Sequence, residues 1–188
     1  NVSNPPTVIY NTAINAHSDT STIYGEANAS VCDHDGHLLF YTNGSRVWDR
    51  TNTVMPGSMN SLHGLGDSAD ILTTSTSNGA VIVPTPGRND QYYLFSLTGV
   101  EPMATSKVCK LYYSVIDMDL NNGYGDIVPS KKWILLDSLL TEKMVAVQGT
   151  CGRIWLRGQA RDTTACKAYE ISSTGLNTQP VISYAGTD

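Results

Sequence analysis

Residues 29–44 read ASVCDHDGHLLFYTNG, and this stretch decides the fold class. Two short apolar segments, Ala29–Cys32 and Leu38–Thr42, flank the tetrapeptide DHDG at residues 33–36. Because Asp-Gly tolerates the positive φ that tight hairpin turns require, the stretch predicts a β-hairpin. Asn43-Gly44 predicts a second turn, which leads into a third strand.

The rest of the chain repeats this pattern of short strands and turns. Each segment is rich in β-branched and aromatic residues and is bounded by Gly, Pro, Asn, Asp or Ser. No stretch has the apolar spacing of an amphipathic helix over three turns, and residues 138–147 hold at most one helical turn. The chain is therefore predicted to be all-β. The further predicted strands are Ala80–Val83, Tyr92–Leu97, Leu111–Ile116, Trp133–Leu136, Met144–Val147, Ile154–Leu156, Ala168–Ile171 and Val181–Tyr184.

The predicted strands group into successive up-and-down units of four antiparallel strands. The units are residues 28–59, 79–137 and 143–185, and their second strands centre on Phe40, Leu94 and Trp155. A repeat of this size predicts β-propeller blades, with a β-sandwich as the alternative. Three blades are too few to close a ring. We therefore expect residues 1–27 to contribute to another blade, and missing sequence or another chain to supply the rest, with a different closure of the sheets as the alternative.

Composition excludes several classes of protein. The 188 residues are 40% hydrophobic and 15% charged, which is too apolar for disorder and too poor in charge for a coiled coil. The net charge of −5 argues against nucleic acid as the main partner. The apolar runs are too short for a membrane span. Because the chain begins at Asn1 without an initiator Met, we expect a processed or truncated product.

The four cysteines, Cys32, Cys109, Cys151 and Cys166, are widely spaced. No pair has the C-x-x-C spacing, which disfavours a zinc ribbon or a thioredoxin-like redox site. Their even number predicts two disulfides in a secreted protein, with all three pairings open. Buried free thiols are the alternative.

Two short segments carry candidate metal ligands. Asp117, Asp119 and Asn121 place oxygen atoms at alternate positions, as calcium loops do, and calcium is the only cofactor that the sequence indicates. The EF-hand glycine and bidentate glutamate are missing, so a structural loop is the alternative. The second segment, Asp33-His34-Asp35-Gly36-His37, combines two imidazoles with two carboxylates. In a tight hairpin we expect these side chains to point to different faces.

Candidates for catalysis and stacking are few. Residues 63–70 contain Gly-Asp-Ser, in which Ser68 is a potential nucleophile beside Asp67 and Asp70. A nucleophile needs a base and an oxyanion hole, and this polar stretch is more typical of a loop between blades. Three aromatic residues offer rings for stacking on sugars or peptides, with the blade core as the alternative for the two tryptophans. These residues are Trp48, Tyr124 and Trp155.

An ordered set of motifs lies at residues 29–44, 47–50, 54–56, 82–87, 92–95, 111–118, 121–127 and 141–147. Together these motifs resemble the WD40-like β-propeller module of large Bacteroidetes surface proteins. The resemblance covers about residues 26–186, but the "fSPdG" stretch of that family is absent. Members often carry immunoglobulin-like repeats and a gliding-motility-associated, type IX secretion C-terminal domain. The resemblance therefore implies an extracellular or cell-surface location.

Three functions fit these observations. The first is a non-enzymatic extracellular module for adhesion, protein interaction or surface-structure assembly, with a protein or glycan partner. The second is a secreted carbohydrate-active hydrolase or lyase, because propellers also host such enzymes. The third is a lectin-like glycan binder. The acidic residues are scattered over predicted loops, which favours a protein without catalytic activity.

Overall fold

The computed structural model describes residues 27–62, 76–99 and 109–186. These residues form antiparallel β-structure, which confirms the predicted all-β class. The strands are β1 (Ala29–Cys32), β2 (Leu38–Thr42), β3 (Val47–Asp49), β4 (Ala80–Pro84), β5 (Gln91–Leu97), β6 (Cys109–Asp117), β7 (Asp126–Ile127), β8 (Ile134–Gln148), β9 (Ile154–Ala160), β10 (Ala165–Ser172), β11 (Gly175–Leu176) and β12 (Val181–Tyr184). The 3-10 helices are Pro56–Ser58, Asn121–Gly123 and Pro129–Lys131. Within the described ranges, no helix has the length and apolar character needed to cross a bilayer.

The first sheet consists of β1, β2 and β3 in that order. The predicted hairpin is present, with Ala29 opposite Thr42, and Gly36 takes the positive φ of 86° that its turn requires. Val54 forms a single bridge with Trp48 where a fourth strand was expected. The first predicted unit is therefore three strands and one bridge in the structure.

The second sheet has nine strands and folds over at β8. The first half of this 15-residue strand pairs with β6, and its second half pairs with β9. Leu140 pairs on both sides, with Cys109 and with Ala160. The single helical turn that the sequence allowed within residues 138–147 is absent, because this segment lies within β8, where Ser138 pairs with β6 and residues 144–147 pair with β9. We call β4, β5, β6 and the first half of β8 the middle sheet, and the second half of β8 with β9, β10 and β12 the third sheet.

The middle sheet is covered on both faces by apolar side chains. Successive residues of a strand point to opposite faces, and six of the seven residues of β5 are buried. One face packs on the first sheet in a cluster that includes Phe40, Val47, Tyr92, Leu94 and Ile116. The other face packs on the third sheet in a cluster that includes Tyr93, Phe95, Val115, Leu156 and Tyr169. The three sheets are therefore stacked in sequence order.

A polar network joins the middle and third sheets. Lys167 Nζ on β10 donates to both carboxylate oxygens of Asp137 on β8, at 2.9 and 2.8 Å. The hydroxyl of Tyr169 donates to the same carboxylate. Burial, together with this hydrogen bond, raises the pKa of Tyr169 above its usual range, so the phenol stays protonated. The side chains of Asp137, Lys167 and Tyr169 therefore satisfy one another's hydrogen-bonding groups where little water reaches them.

The third sheet has one face that the described residues leave open. Val145, Arg157, Ala168 and Val181 form a row of neighbours across its four strands, pointing away from Leu156 and the core. The exposed fractions of Val145 and Val181 are 50% and 59%. We call this row, with Val147, the outer face. The described part of the chain closes neither a barrel nor a propeller ring.

Candidate functional site

A cleft of about 660 Å³ lies where three turns of the middle and third sheets meet. The β4–β5 loop, the β8–β9 hairpin and the β10–β11 turn provide its walls. The residues that line it are Pro86, Gly87, Cys151, Gly152, Arg153, Glu170, Ser172, Ser173, Thr174, Gly175, Leu176 and Asn177. Hydroxyl, amide and backbone groups predominate, so the cleft is suited to hydrogen bonding.

The β8–β9 hairpin brings Cys151 and Arg153 to the cleft. Cys151 and Gly152 have φ values of 58° and 70°, and Arg153 N donates to Thr150 O at 3.3 Å. Two central residues with positive φ define the tight turn that matches the twist of paired strands. Glycine adopts this conformation freely, whereas it is uncommon for cysteine.

One ion pair spans the cleft wall. Arg153 Nε lies 2.9 Å from Glu170 Oε1, and 51% of the Arg153 side chain is exposed. Beside it, the hydroxyls of Ser172 and Thr174 are 2.8 Å apart. Since Glu170 is the only carboxylate among the described lining residues, the cleft lacks the pair of acids that glycoside hydrolysis normally uses.

A contact between the two sheets holds the cleft in shape. The backbone N–H of Leu176 on β11, which follows the β10–β11 turn, donates to the Tyr93 hydroxyl on β5 at 3.2 Å. Tyr93 is buried, and its ring is stacked on Phe95 with centroids 5.9 Å apart. The β10–β11 turn is thereby attached to the middle sheet.

Two of the three residues predicted to bind calcium, Asp117 and Asp119, lie close to a third carboxylate. One carboxylate oxygen each of Asp90, Asp117 and Asp119 lie within 4.8 Å of one another, because Gln91 pairs with Asp117 across β5 and β6. Asn121 starts the 3-10 helix that follows, and it is exposed. The spacing of residues along the sequence did not indicate that Asp90 belongs to this cluster. Calcium binding here stays a prediction.

Other groups already engage this carboxylate cluster. Arg88 donates to Asp90 Oδ1 and Oδ2 at 3.2 and 2.8 Å, and these hydrogen bonds are the main cause of a lowered Asp90 pKa. Gln91 Nε2 donates to Asp117 Oδ2 at 2.8 Å, and the Asp119 backbone N–H donates to Asp117 Oδ1 at 3.0 Å. Together these bonds organise the turn, in line with the structural-loop alternative.

The turn between β1 and β2 holds its acidic and histidine side chains closer together than expected. Atoms of Asp33, Asp35 and His37 lie within 4.8 Å of one another, so the expected divergence of these side chains is wrong for three of the four. Asp33 Oδ1 accepts backbone N–H bonds from Asp35 and His37 at 3.0 and 2.9 Å. The bond from His37 is the main cause of the lowered Asp33 pKa. His34 instead lies 3.2 Å from Asp35 Oδ1.

None of the remaining candidates within the described residues lines the cleft. Residues 63–70, with Asp67, Ser68 and Asp70, fall outside the described residues. Trp48 is half-buried and stacked on Tyr41, with ring centroids 5.3 Å apart. Trp155 on β9 is also half-buried. Tyr124 is exposed, and the Arg50 guanidinium carbon lies 4.9 Å from its ring centroid.

All four cysteines are free thiols in the structure, so the two expected disulfides are not formed there. They belong to different parts of the fold: Cys32 lies on β1, Cys151 at a hairpin tip and Cys166 on β10. Cys109 lies in the core between the middle and third sheets, where burial raises the pKa of its thiol to about 12. Arg157 Nη2 donates to Cys166 Sγ at 3.0 Å.

The four thiols should react with iodoacetamide at very different rates in the native protein. Thiolates are the reactive species, so exposed Cys151 is expected to react first and buried Cys109 only after unfolding. Peptide mass spectrometry over time measures this order, and Cys151→Ser is expected to remove the fast phase. If unfolded, unreduced protein takes up fewer than four labels, disulfides are present and the free-thiol arrangement is wrong.

The cleft was not among the sites predicted from the sequence. The turn signals at Gly87, Gly152 and Gly175 are visible in the sequence, but their meeting depends on the folding of the sheet at β8. Comparison with known proteins adds no further guide. No family model, curated protein or solved structure matches this chain.

Proposed function

We propose that this chain is a non-enzymatic extracellular module that works in adhesion, protein interaction or the assembly of a surface structure. The observation that carries the proposal is the open outer face of the third sheet. The corresponding faces of the middle sheet are both covered by neighbouring sheets. Val145, Val147 and Val181 are exposed on this face beside Arg157, and exposed apolar side chains next to polar ones are typical of interaction sites.

The strand order supports a place among WD40-like propeller modules of Bacteroidetes surface proteins, as the sequence motifs imply. β4-β5-β6-β8 and β8-β9-β10-β12 are two successive groups of four antiparallel strands, stacked face to face. This arrangement is compatible with propeller blades. On this proposal, the outer face docks on another β-sheet layer, from the same polypeptide or from another chain.

The hydrolase or lyase alternative has less support. Glu170 in the cleft is paired with Arg153, and Asp90 in the acidic cluster is paired with Arg88. A general acid and a general base need unlike environments that separate their pKa values. Glu170 and Asp90 instead each form an ion pair with a neighbouring arginine, and no second acid lies beside Glu170 among the described lining residues.

Sedimentation velocity at increasing protein concentration tests the docking role of the outer face. We expect self-association that the double variant Val145→Lys, Val181→Lys abolishes, because two buried charges would oppose the apolar contact. Leu135→Lys is the matched control, since Leu135 is 53% exposed but does not belong to the outer face. A monomer at every concentration, or equal loss in the control, would contradict docking between copies of this chain through the outer face. Release of reducing ends from a polysaccharide panel would instead support the enzyme.

A further inference from the structure

The cleft combines balanced charge with a high density of polar groups. Arg153 and Glu170 contribute one positive and one negative charge, joined by the contact of 2.9 Å. Ser172, Thr174 and Asn177 add side chains that both donate and accept hydrogen bonds. The described lining therefore offers many hydrogen bonds to a ligand without offering it a net charge.

These polar groups can still form hydrogen bonds with a ligand. The Arg153 side chain is 51% exposed and that of Glu170 28%, so their pairing leaves both accessible from the cleft. A guanidinium beside a carboxylate presents donors and acceptors side by side, an arrangement that fits two adjacent hydroxyl groups. The hydroxyls of Ser172 and Thr174 bond to each other at 2.8 Å, and each has further lone pairs.

Other classes of ligand fit this lining less well. Phosphate and other anionic ligands need uncompensated cations, whereas Glu170 offsets Arg153. A docked peptide needs apolar pockets for its anchor side chains. Apart from Cys151, only Pro86 and Leu176 offer apolar side chains among the described lining residues.

From this balance we propose that the cleft binds a neutral oligosaccharide. Its volume of about 660 Å³ falls in the range of small-molecule sites, roughly 300–1,000 Å³. The described lining has no aromatic ring on which a sugar could stack, so hydrogen bonds carry the recognition, with Arg153 and Glu170 holding adjacent hydroxyls. The inference rests on the proposed function, because it supplies a glycan contact for a surface module without catalysis.

Tyr93 is a positioning residue for this site. Its hydroxyl accepts the Leu176 N–H at 3.2 Å and so attaches the β10–β11 turn to the middle sheet. Tyr93→Phe removes this bond but leaves every lining side chain in place. We therefore expect Tyr93→Phe to weaken binding less than Arg153→Ala does.

The test uses the full chain on an array of neutral oligosaccharides of glucose, mannose, galactose, xylose and N-acetylglucosamine, with sialylated and sulfated counterparts. The strongest neutral hit is then titrated calorimetrically against the variants. We expect Arg153→Ala and Glu170→Gln each to weaken binding by about 10-fold or more, because each loses hydrogen bonds to a charged group. Lys131→Ala is the control, since Lys131 is an exposed cation in the 3-10 helix Pro129–Lys131 and does not line the cleft. Ser173→Trp places bulk at an exposed lining position and is expected to block binding without altering the core.

The possible outcomes separate this inference from the proposed function. Binding of neutral sugars that is lost in the cleft variants and kept in Lys131→Ala supports the site. Binding of anionic glycans only, no binding, or binding unchanged in Ser173→Trp would overturn it, while self-association through the outer face would still stand. If the bound oligosaccharide is cleaved, the site is retained and the non-enzymatic function is wrong.

Discussion

Phe95→Ala is expected to lower the free energy of unfolding by about 3–5 kcal/mol, the usual cost of truncating a buried phenylalanine. The Phe95 ring is fully buried between the middle and third sheets and contacts Tyr93 and Tyr113, with centroids 5.9 and 6.4 Å away. Its removal leaves a cavity that the surrounding strands fill only in part. Equilibrium urea denaturation measures the change.

Leu135→Ala provides the control for this experiment. Leu135 is on β8 and is 53% exposed, so its truncation is expected to change stability by only about 0.5 kcal/mol. Similar effects of the two substitutions would contradict the packing of the middle sheet on the third. A large effect of Phe95→Ala alone would confirm that the two sheets share one core.

Asp137→Ala is the second substitution with a large expected effect, about 3–5 kcal/mol of destabilisation. It leaves the Lys167 ammonium, which is 20% exposed, without its carboxylate partner, and it also removes the acceptor of the buried Tyr169 hydroxyl. An ion pair broken from one side is costly because the remaining charge stays poorly hydrated. Thermal and chemical denaturation both measure this loss.

Asp90→Ala is the matched control for Asp137→Ala. It also removes a carboxylate from an ion pair, but its partner Arg88 is 51% exposed and regains water when the pair is lost. A much smaller change is therefore expected. If both substitutions cost the same, the Asp137 network does not link the middle and third sheets as described.

Local turn chemistry was sufficient to predict the first hairpin. Its strands Ala29–Cys32 and Leu38–Thr42 agree with β1 and β2, because an Asp-Gly turn sets the register of its own flanking residues. The region around Leu140 could not be predicted in this way. Residues 133–136 and 144–147 each resemble a short strand, and they become one strand only because β6 and β9 pair with its two halves.

The candidate sites show the same limit. Asp117 and Asp119 are near each other in sequence, whereas Asp90 joins them through the pairing of Gln91 with Asp117. Arg153 meets Glu170 only when β9 and β10 are side by side. Single residues of these sites are therefore visible in the sequence, but their partners depend on strand register and on the folding of the sheet at β8.

The continuous strand β8 has a mechanical consequence. It is 15 residues long, so it extends for at most about 50 Å, and it belongs to two stacked sheets. Tension along β8 would therefore load the hydrogen bonds to β6 and to β9 in shear at the same time. Neither sheet could then peel away alone, and the two would yield together as one mechanical unit.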